Sequence, residues 1–239
     1  MRHRLLPIAV LALFTAGGAL AEPVQVEYFD LPPYTYLQNG RPAGQALVLA
    51  RSLIEGLDIA IRTELVPIRR LNFEAAHSPI VVAAIIRTPQ RDELYQWIGR
   101  LCTDAFVMVN RAPAPLVDSL DEARRLKKIA VVTGASNETY LREQGFTNLD
   151  AASSIELEVR RLAEGHDDAW FAPRKGALHA WKAAGYDPVM LQFGAPILPT
   201  ATWMAASKSV PFETVEILRA RFAEKVRDGT VAAITGCQD

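Results

Sequence analysis

The seven consecutive residues Ile80–Ile86 are all apolar, and this run limits the possible folds of the chain most strongly. A strand with one solvated face alternates apolar and polar residues, whereas an unbroken apolar run is typical of a strand buried on both faces of a parallel sheet. Parallel strands are joined by crossover connections, which are usually helices. The run therefore predicts an α/β fold in which helices cover both faces of the sheet.

Weaker patterns on either side of this run repeat the alternation of strands and helices. The first half of the chain has strand patterns at 24–29 and 59–67 and a helix pattern at 45–55. In the second half, the patterns predict strands at 128–133, 168–172 and 188–193. They predict helices at 120–126, after the turn at 134–138, and at 212–228. A further helix is predicted to be capped by Ser153 and Glu156 and to end at Gly165.

Proline-containing breaks near 110–115 and 196–201 divide these elements into two α/β units. If Cys102 pairs with Cys237, the last helix returns to the first unit, and the chain crosses between the units twice. We therefore predict lobe 1 at 22–109 and 201–239 and lobe 2 at 110–200, with a cleft between them. Clefts of this kind are where small ligands bind.

The first 21 residues predict a secretory signal peptide. Arg2 and Arg4 precede an uncharged run that ends in Ala19-Leu20-Ala21, and these are the three parts of such a signal. A membrane anchor is the alternative, but the run contains Pro7 and is shorter than the ~20 apolar residues of a span. We expect cleavage after Ala21, no stable membrane insertion afterwards, and a periplasmic or secreted protein.

Export determines how the two cysteines are interpreted. In an oxidising compartment, Cys102 and Cys237 most simply form one disulfide, and two buried thiols are the alternative.

The 26 Lys and Arg residues balance 27 Asp and Glu residues, so the chain has no basic excess for binding nucleic acid.

Short motifs follow one another in a recognisable order along the chain. They are Pro32-Pro33-Tyr34 with Asn39-Gly40 and Gly44, Arg87-Thr88-Pro89-Gln90-Arg91, Ser119-Leu120-Asp121-Glu122-Ala123 before Thr133-Gly134-Ala135-Ser136, and Asp228-Gly229-Thr230. In this order they resemble the type 2 periplasmic substrate-binding proteins, in the branch associated with amino-acid ABC transporters. The resemblance implies a two-lobed α/β fold of the periplasmic-binding-protein-like II type with a two-stranded hinge. It also implies a ligand in the interlobe cleft and an ABC permease or a sensor as partner.

Three departures from the family pattern bear on the ligand. Gln45 and Ala46 replace the usual aromatic and acidic residues after Gly44, and Ile86 replaces a hydroxyl residue. In amino-acid binders of this family, an acid after the strand that matches 168–172 takes the ligand ammonium. Pro173 stands at that position, so the resemblance points to a carboxylate-bearing ligand without an ammonium group.

The arginine motif supplies the first candidate ligand contacts. The resemblance makes Arg91 the carboxylate clamp, because a guanidinium fork binds a carboxylate with two charge-assisted hydrogen bonds. A surface arginine paired with Asp92 is the alternative. Arg70 is a second candidate that equally fits a solvated helix face. Arg87 and Thr88 follow a buried strand, where open α/β sheets place ligand contacts.

The other candidates come from the turns and short strands of lobe 2 and from the N-terminal motif. Ser136 and Asn137 follow Gly134 at the start of a helix, which suits an anion and equally suits a simple helix cap. Tyr34 and Trp170 either line the cleft or belong to the core. Arg174 adds a positive group next to Pro173.

The chain carries no motif of a known catalytic or metal site. It lacks a nucleophile elbow and a Walker loop, and its four histidines lack metal-ligand spacing. The turn His166-Asp167-Asp168 fits a solvated loop better than a proton relay. We expect a monomeric binding protein without a cofactor; a partner-binding module and a dehydratase acting on carboxylic acids are the alternatives.

Overall fold

The computed structural model describes residues 23–237, so the predicted signal segment 1–21 lies outside the described residues. The strands are β1 (Gln25–Glu27), β2 (Tyr36–Gln38), β3 (Arg41–Ala43), β4 (Ala60–Ile61), β5 (Ile80–Ile86), β6 (Tyr95–Arg111), β7 (Ile129–Val132), β8 (Leu149–Ala152), β9 (Ala169–Pro173), β10 (Leu191–Phe193) and β11 (Leu198–Ser207). The helices are α1 (Gln45–Ile54), α2 (Ile68–His77), α3 (Leu120–Ala123), α4 (Ser136–Glu143), α5 (Ile155–Glu164), α6 (Arg174–Ala183), α7 (Phe212–Arg227) and α8 (Thr230–Thr235).

The main sheet is mixed and contains two parallel groups of strands. Its order is β4-β1-β5-β11-β6-β9-β7-β8, and β10 pairs with β6. β1 is parallel to both β4 and β5, and β7 is parallel to both β8 and β9. All seven residues of β5 are buried, which confirms the α/β fold predicted from this run. We call the group around β5 lobe 1 and the group around β7 lobe 2.

Two long antiparallel strands join the lobes. β11 pairs with β5 on one side and with β6 on the other, and the segment Phe106–Val109 of β6 pairs with β9 of lobe 2. The two strands therefore form the two-stranded connection that the sequence predicted. The predicted lobe boundaries at 109/110 and 200/201 fall within β6 and β11.

Several helix predictions match the structure, but the N-cap residue predicted for α5 is wrong. α1 and α7 begin and end close to the predicted positions, and α4 begins at Ser136, within the predicted turn at 134–138. The predicted cap of α5 is wrong by one residue, because the hydroxyl of Ser154, not Ser153, accepts the hydrogen bond from the backbone N–H of Leu157 at 3.2 Å. Gly165 ends α5 in the left-handed conformation, as a C-terminal glycine commonly does.

Two strand predictions are wrong in length. The pattern at 59–67 forms only the two-residue strand β4, because α2 begins directly after Pro67. The pattern at 188–193 contains a 3-10 turn at Pro188–Met190 before β10, since Pro188 has no backbone N–H to donate to a neighbouring strand.

Cys102 and Cys237 form the predicted disulfide, with 5.5 Å between their Cα atoms. It connects the segment after α8 to β6 and brings the end of the described chain back to lobe 1. Within residues 23–237, no helix is both long and apolar enough to cross a membrane.

Candidate functional site

Three adjoining cavities lie along the boundary between the lobes. The outer cavity has a volume of about 440 Å³, the middle cavity about 50 Å³ and the far cavity about 440 Å³. The middle cavity shares Arg91 and Ser136 with the outer cavity and Asp30 and Ile155 with the far cavity. Together they form one interlobe cleft, of a size that suits a small ligand.

Contacts across the cleft hold the lobes face to face. The side-chain amide of Gln90 in lobe 1 donates to the carboxylate of Glu143 in lobe 2 at 3.4 Å. Arg69 of α2 packs against Gly134 so closely that a Cβ atom at that position would collide with its side chain. Glycine at position 134, where φ is +77°, thus permits both the turn and this close approach.

Arg91 lies at the junction of the outer and middle cavities. The 3-10 turn Pro89–Arg91 follows β5 after Arg87 and Thr88, and it directs the side chain of Arg91 back to the end of that strand. Arg91 is buried, with 7% of the residue exposed, and its Nη1 donates a hydrogen bond to the carbonyl of Ile86 at 2.7 Å. No carboxylate pairs with Arg91 within the described residues. Burial lowers the pKa of the guanidinium to about 10.

Arg87 and Thr88 also line the outer cavity. The guanidinium of Arg87 lies 5.0 Å from the ring centre of Trp97 and 5.3 Å from that of Trp203. It also forms an ion pair with Asp92 at 2.9 Å. Because these three neighbours fix Arg87, its positive charge is already partly neutralised, in contrast to that of Arg91.

The start of α4 lines the cleft opposite Arg91. Ser136 faces both the outer and middle cavities, and Asn137 faces the middle cavity. The amide of Asn137 is held by the carbonyl of Phe171 at 3.0 Å. The carboxylate of Glu138 accepts the N–H of Gly134 at 2.6 Å, so one donor of the predicted anion site is already occupied by the chain itself.

The two candidate aromatic residues have different positions. Trp170 lines the middle cavity although it is almost fully buried, and its indole Nε1 has no hydrogen-bond partner. Tyr34 is buried in the core of lobe 1 and lines none of the three cavities. Phe106, at the crossing between the lobes, lines the outer and middle cavities and stacks on Phe171.

The structure places two predicted arginines outside the three cavities. Arg70 points along the surface of α2 and pairs with Glu74 at 2.6 Å. Arg174 lies over the ring of Phe193 at 4.6 Å. Arg69, the neighbour of Arg70, is the α2 arginine that lines the far cavity.

Two acidic residues of the cleft were missed by the sequence analysis. Asp30 follows β1, lines the middle and far cavities, and has no hydrogen bond or ion pair within the described residues. Glu158 of α5 is 0% exposed, lines the middle cavity, and neither of its carboxylate oxygens has a hydrogen-bond partner. A signal for Glu158 was present, because it shares the apolar face of α5 with Ile155 and Leu162.

Burial raises the pKa values of both acids. The pKa of Asp30 rises to about 6, mainly by desolvation and then by repulsion from Glu156. The pKa of Glu158 rises well above its ordinary value, again mainly by desolvation. Asp167, which is buried behind α5, has its pKa raised to about 6 by desolvation and by Asp150.

These shifts predict that the folded state is more stable at pH 5.5 than at pH 8. A carboxyl group with a raised pKa binds its proton more tightly in the folded state, so its contribution to stability is lost as the pH rises from about 4 to above 6. One pKa unit corresponds to about 1.4 kcal/mol, so we expect the melting temperature to fall by roughly 5 °C between pH 5.5 and pH 8. Calorimetry across this pH range measures whether the melting temperature falls.

Asp167→Asn should make the melting temperature depend less on pH, and the surface variant Glu164→Gln should leave the dependence unchanged. A melting temperature that rises with pH contradicts the raised pKa values of these acids.

Metal-binding side chains are not clustered in this part of the molecule. Residues 23–237 contain no group of three or more His, Cys, Asp and Glu residues that could hold a metal ion. The chemistry of the cleft is instead that of a buried cation, Arg91, a buried acid, Glu158, a half-buried acid, Asp30, and aromatic walls.

Comparisons with known proteins identify the fold. No family model matches the sequence, and no curated protein matches it. Among solved structures, a histidine kinase sensor domain described as similar to periplasmic binding proteins has a TM-score of 0.78 and 19% identity, covering 90% of this chain and 94% of its own. An ancestral arginine-binding protein bound to arginine has a TM-score of 0.76 and 16% identity, covering 89% and 96%. The substrate-binding protein of an amino acid ABC transporter has a TM-score of 0.71 and 15% identity, covering 89% and 96%.

The fold and its cleft therefore define a class. The chain has the two-lobed fold of the type 2 periplasmic substrate-binding proteins, as its motifs indicated. The structural neighbours include binding proteins and a sensor domain, which supports a solute-binding architecture.

Proposed function

We propose that this protein is a periplasmic solute-binding protein that captures a small carboxylate-bearing ligand, amino-acid-like or an organic acid, in the interlobe cleft. The observation that carries the proposal is Arg91, a buried guanidinium at the cleft. Among residues 23–237 its side chain has one hydrogen bond, to a carbonyl, and no acidic partner. A buried charge without a partner costs free energy, and a ligand carboxylate supplies the missing partner.

The positions of the lining residues suggest the order of binding. A ligand carboxylate first meets Arg91 at the end of β5 in lobe 1, beside Thr88. Rotation about β6 and β11 then brings the start of α4, with Ser136, and the side chain of Trp170 against the ligand. The closed form gains population only because the ligand makes contacts there that the open form lacks.

The partner of the closed form belongs to one of two classes. An ABC permease would take up the ligand, in line with the amino acid transporter protein among the neighbours. A membrane sensor would instead detect the closed form of the protein, in line with the histidine kinase sensor domain among the neighbours. Uptake of a labelled ligand by cells with and without the gene distinguishes the two partners. If the partner is an ABC permease, cells that lack the gene should take up less of the ligand; a sensor partner does not require this.

A thermal-shift screen of residues 22–239 tests the proposal. The panel contains amino acids, dicarboxylates, aromatic acids and sugars, and each carboxylate is paired with its uncharged amide as a control. A ligand present at a hundred times its dissociation constant adds about 2.7 kcal/mol of stability, so we expect at least one carboxylate to raise the melting temperature by roughly 5 °C. A response to a carboxylate and its amide alike, or to sugars alone, contradicts the proposal.

A further inference from the structure

A cluster of four charged side chains, which lines none of the three cavities, connects α2 to β1. Glu27, at the end of β1, is 1% exposed, and its Oε1 lies 2.6 Å from Nη2 of Arg62. The same nitrogen of Arg62 lies 3.4 Å from Oε2 of Glu74 on α2. Nε of Arg70, the fourth member, lies 2.6 Å from Oε1 of Glu74. The guanidinium of Arg62 therefore joins two carboxyl groups that belong to different elements.

One oxygen atom of this cluster has no partner. Oε2 of Glu27 is buried and has no hydrogen-bond donor within the described residues. An unpaired buried acceptor is costly, whereas a proton on Oε2 would let Glu27 donate a hydrogen bond to the neighbouring carboxylate of Glu74. Glu27 and Glu74 therefore share one proton when the cluster is fully hydrogen-bonded.

The pKa values of the two acids agree with this geometry. Burial and then the hydrogen bond with Glu74 raise the pKa of Glu27 to about 7. Burial opposes ionisation of Glu74 too, but hydrogen bonds with Glu27 and Arg70 outweigh it and lower the pKa of Glu74. The shared proton is thus bound by Glu27 and is lost near neutral pH.

The helix that this cluster holds forms part of the cleft. Asn72 of α2 lines the outer cavity, and Arg69 of α2 lines the far cavity and packs against lobe 2. The phenol of Tyr95 donates to the amide oxygen of Asn72 at 3.4 Å. Burial raises the pKa of Tyr95 to about 12, Arg91 lowers it and Glu27 raises it, so this phenol lies close to both charged groups. Tyr95 and α2 therefore link Glu27 to the walls of the cleft.

We propose that Glu27 is a positioning residue for the cleft: the proton that it shares with Glu74 holds α2 on lobe 1, and loss of that proton loosens α2 together with Asn72 and Arg69. This inference concerns the ligand-free protein and goes beyond the proposed function. Its consequence, weaker ligand binding at pH 8 than at pH 6, rests on the proposed function.

The direction of the pH effect follows from the shift of Glu27. The charged and titratable groups that face it are Arg62 of the loop after β4, Glu74 and Arg70 of α2, and Tyr95 of β6. When α2 opens, Glu27 regains its ordinary pKa of 4.5. The stability that its proton adds to the closed helix is present below that value and is lost as the pH rises through about 7. Opening of α2 therefore becomes more frequent up to about pH 7 and levels off above it.

Hydrogen exchange of ligand-free residues 22–239 at pH 5, 6, 7 and 8 tests the proposal, with each rate corrected for the intrinsic pH dependence of exchange. We expect α2 to open about tenfold more often at pH 8 than at pH 6. The amides of α7, which lies on lobe 1 outside the cluster, are the internal reference and should change less. In NMR spectra, the side-chain amide of Asn72 should titrate with a midpoint near pH 7, which a merely structural role of Glu27 would not produce.

Three variants complete the experiment. Glu27→Gln keeps the size of the side chain and brings its own donor, so α2 should open equally often at pH 6 and pH 8 and Asn72 should no longer titrate. Glu74→Gln removes the neighbouring charge and offers an amide donor to Glu27, so opening should level off at a lower pH than in the wild type. Glu55→Gln, an exposed acid at the end of α1, should behave as wild type.

The outcomes separate this inference from the proposed function. Opening of α2 that is independent of pH in the wild type, or a pH dependence that persists in Glu27→Gln, overturns the role of Glu27 and leaves the proposed function standing. If Glu27→Gln does not fold, Glu74→Gln decides, and a profile identical to that of the wild type overturns the role. Failure of every carboxylate in the thermal-shift screen overturns the proposed function alone.

Discussion

The double variant Cys102→Ala/Cys237→Ala is expected to melt about 10 °C or more below the wild-type protein. The disulfide joins residues that are 135 positions apart. In the chain-entropy model, a loop of that length restricts the unfolded chain by about 5 kcal/mol. For a chain of this size, each kcal/mol shifts the melting temperature by roughly 2–4 °C. Alanine is the suitable replacement because both cysteines are buried and a serine hydroxyl would lack solvent.

The position of the disulfide adds a local effect to this general one. Cys102 precedes the part of β6 that crosses between the lobes, and Cys237 follows α8. Lys175 of lobe 2 places its Nζ 2.9 Å from Sγ of Cys102 and 3.0 Å from Sγ of Cys237. Loss of the disulfide therefore releases the last helix of lobe 1 next to the connection between the lobes.

Scanning calorimetry of the oxidised protein, the reduced protein and the double variant measures the effect. The reduced protein and the double variant should melt at similar temperatures, both well below the oxidised protein. Arg227→Gln, an exposed variant at the end of α7, serves as the control and should melt as wild type does. A double variant that melts within 2 °C of the oxidised protein contradicts the loop-entropy argument.

Local sequence patterns predicted the short elements better than the long connecting strands. β5 was predicted because all seven of its residues are apolar. β6 was missed because its 17 residues change neighbours at the crossing between the lobes, so no single face stays buried along its length. β11 shows register shifts on both of its edges, which also break the alternation on which strand prediction depends.

Three helices, α2, α6 and α8, were not predicted, and the reasons for two of them involve distant contacts. α6 contains Gly176, which weakens a helix pattern. The structure gives a reason for this glycine, since a Cβ atom there would approach the carbonyl of Pro32 across the lobe boundary to 3.0 Å. α2 begins at Ile68, directly after the segment 59–67 that was predicted as a strand. Because that helix was not predicted, nothing distinguished Arg69 from Arg70 as the residue that faces the cleft.

The site residues that belong to one short motif could be predicted from the sequence, whereas those that come from distant segments could not. Arg87, Thr88 and Arg91 lie within five residues of one another, and all three line the outer cavity. Asp30 and Glu158 are 128 positions apart, and only the folded chain brings them to the same cavity. The absence of an acid at position 173 was visible in the sequence, whereas the meeting of Asp30 and Glu158 in the middle cavity was not.

Arg91→Met is expected to increase the stability of the ligand-free protein while it weakens ligand binding. Methionine has a similar length and no charge, so the variant removes the desolvation cost of a guanidinium that lacks an acidic partner. The carbonyl of Ile86 loses one donor, at a cost of about 1 kcal/mol. We expect a net gain of about 1–2 kcal/mol, which raises the melting temperature by roughly 3–5 °C.

The same substitution removes the partner of the ligand carboxylate in the proposed site. Loss of one member of a buried charge pair costs about 2–5 kcal/mol of binding free energy, so affinity should fall at least 30-fold. Arg91→Lys keeps the charge but not the planar fork, and an intermediate loss is expected. Calorimetric unfolding and ligand titration on the same preparations, with Arg227→Met as the exposed control, measure both quantities. A binding site that is preorganised for a ligand costs stability, so we expect Arg91→Met to raise the stability of the protein and to lower its affinity for the ligand. If Arg91→Met is instead less stable and binds the ligand normally, Arg91 is a structural residue.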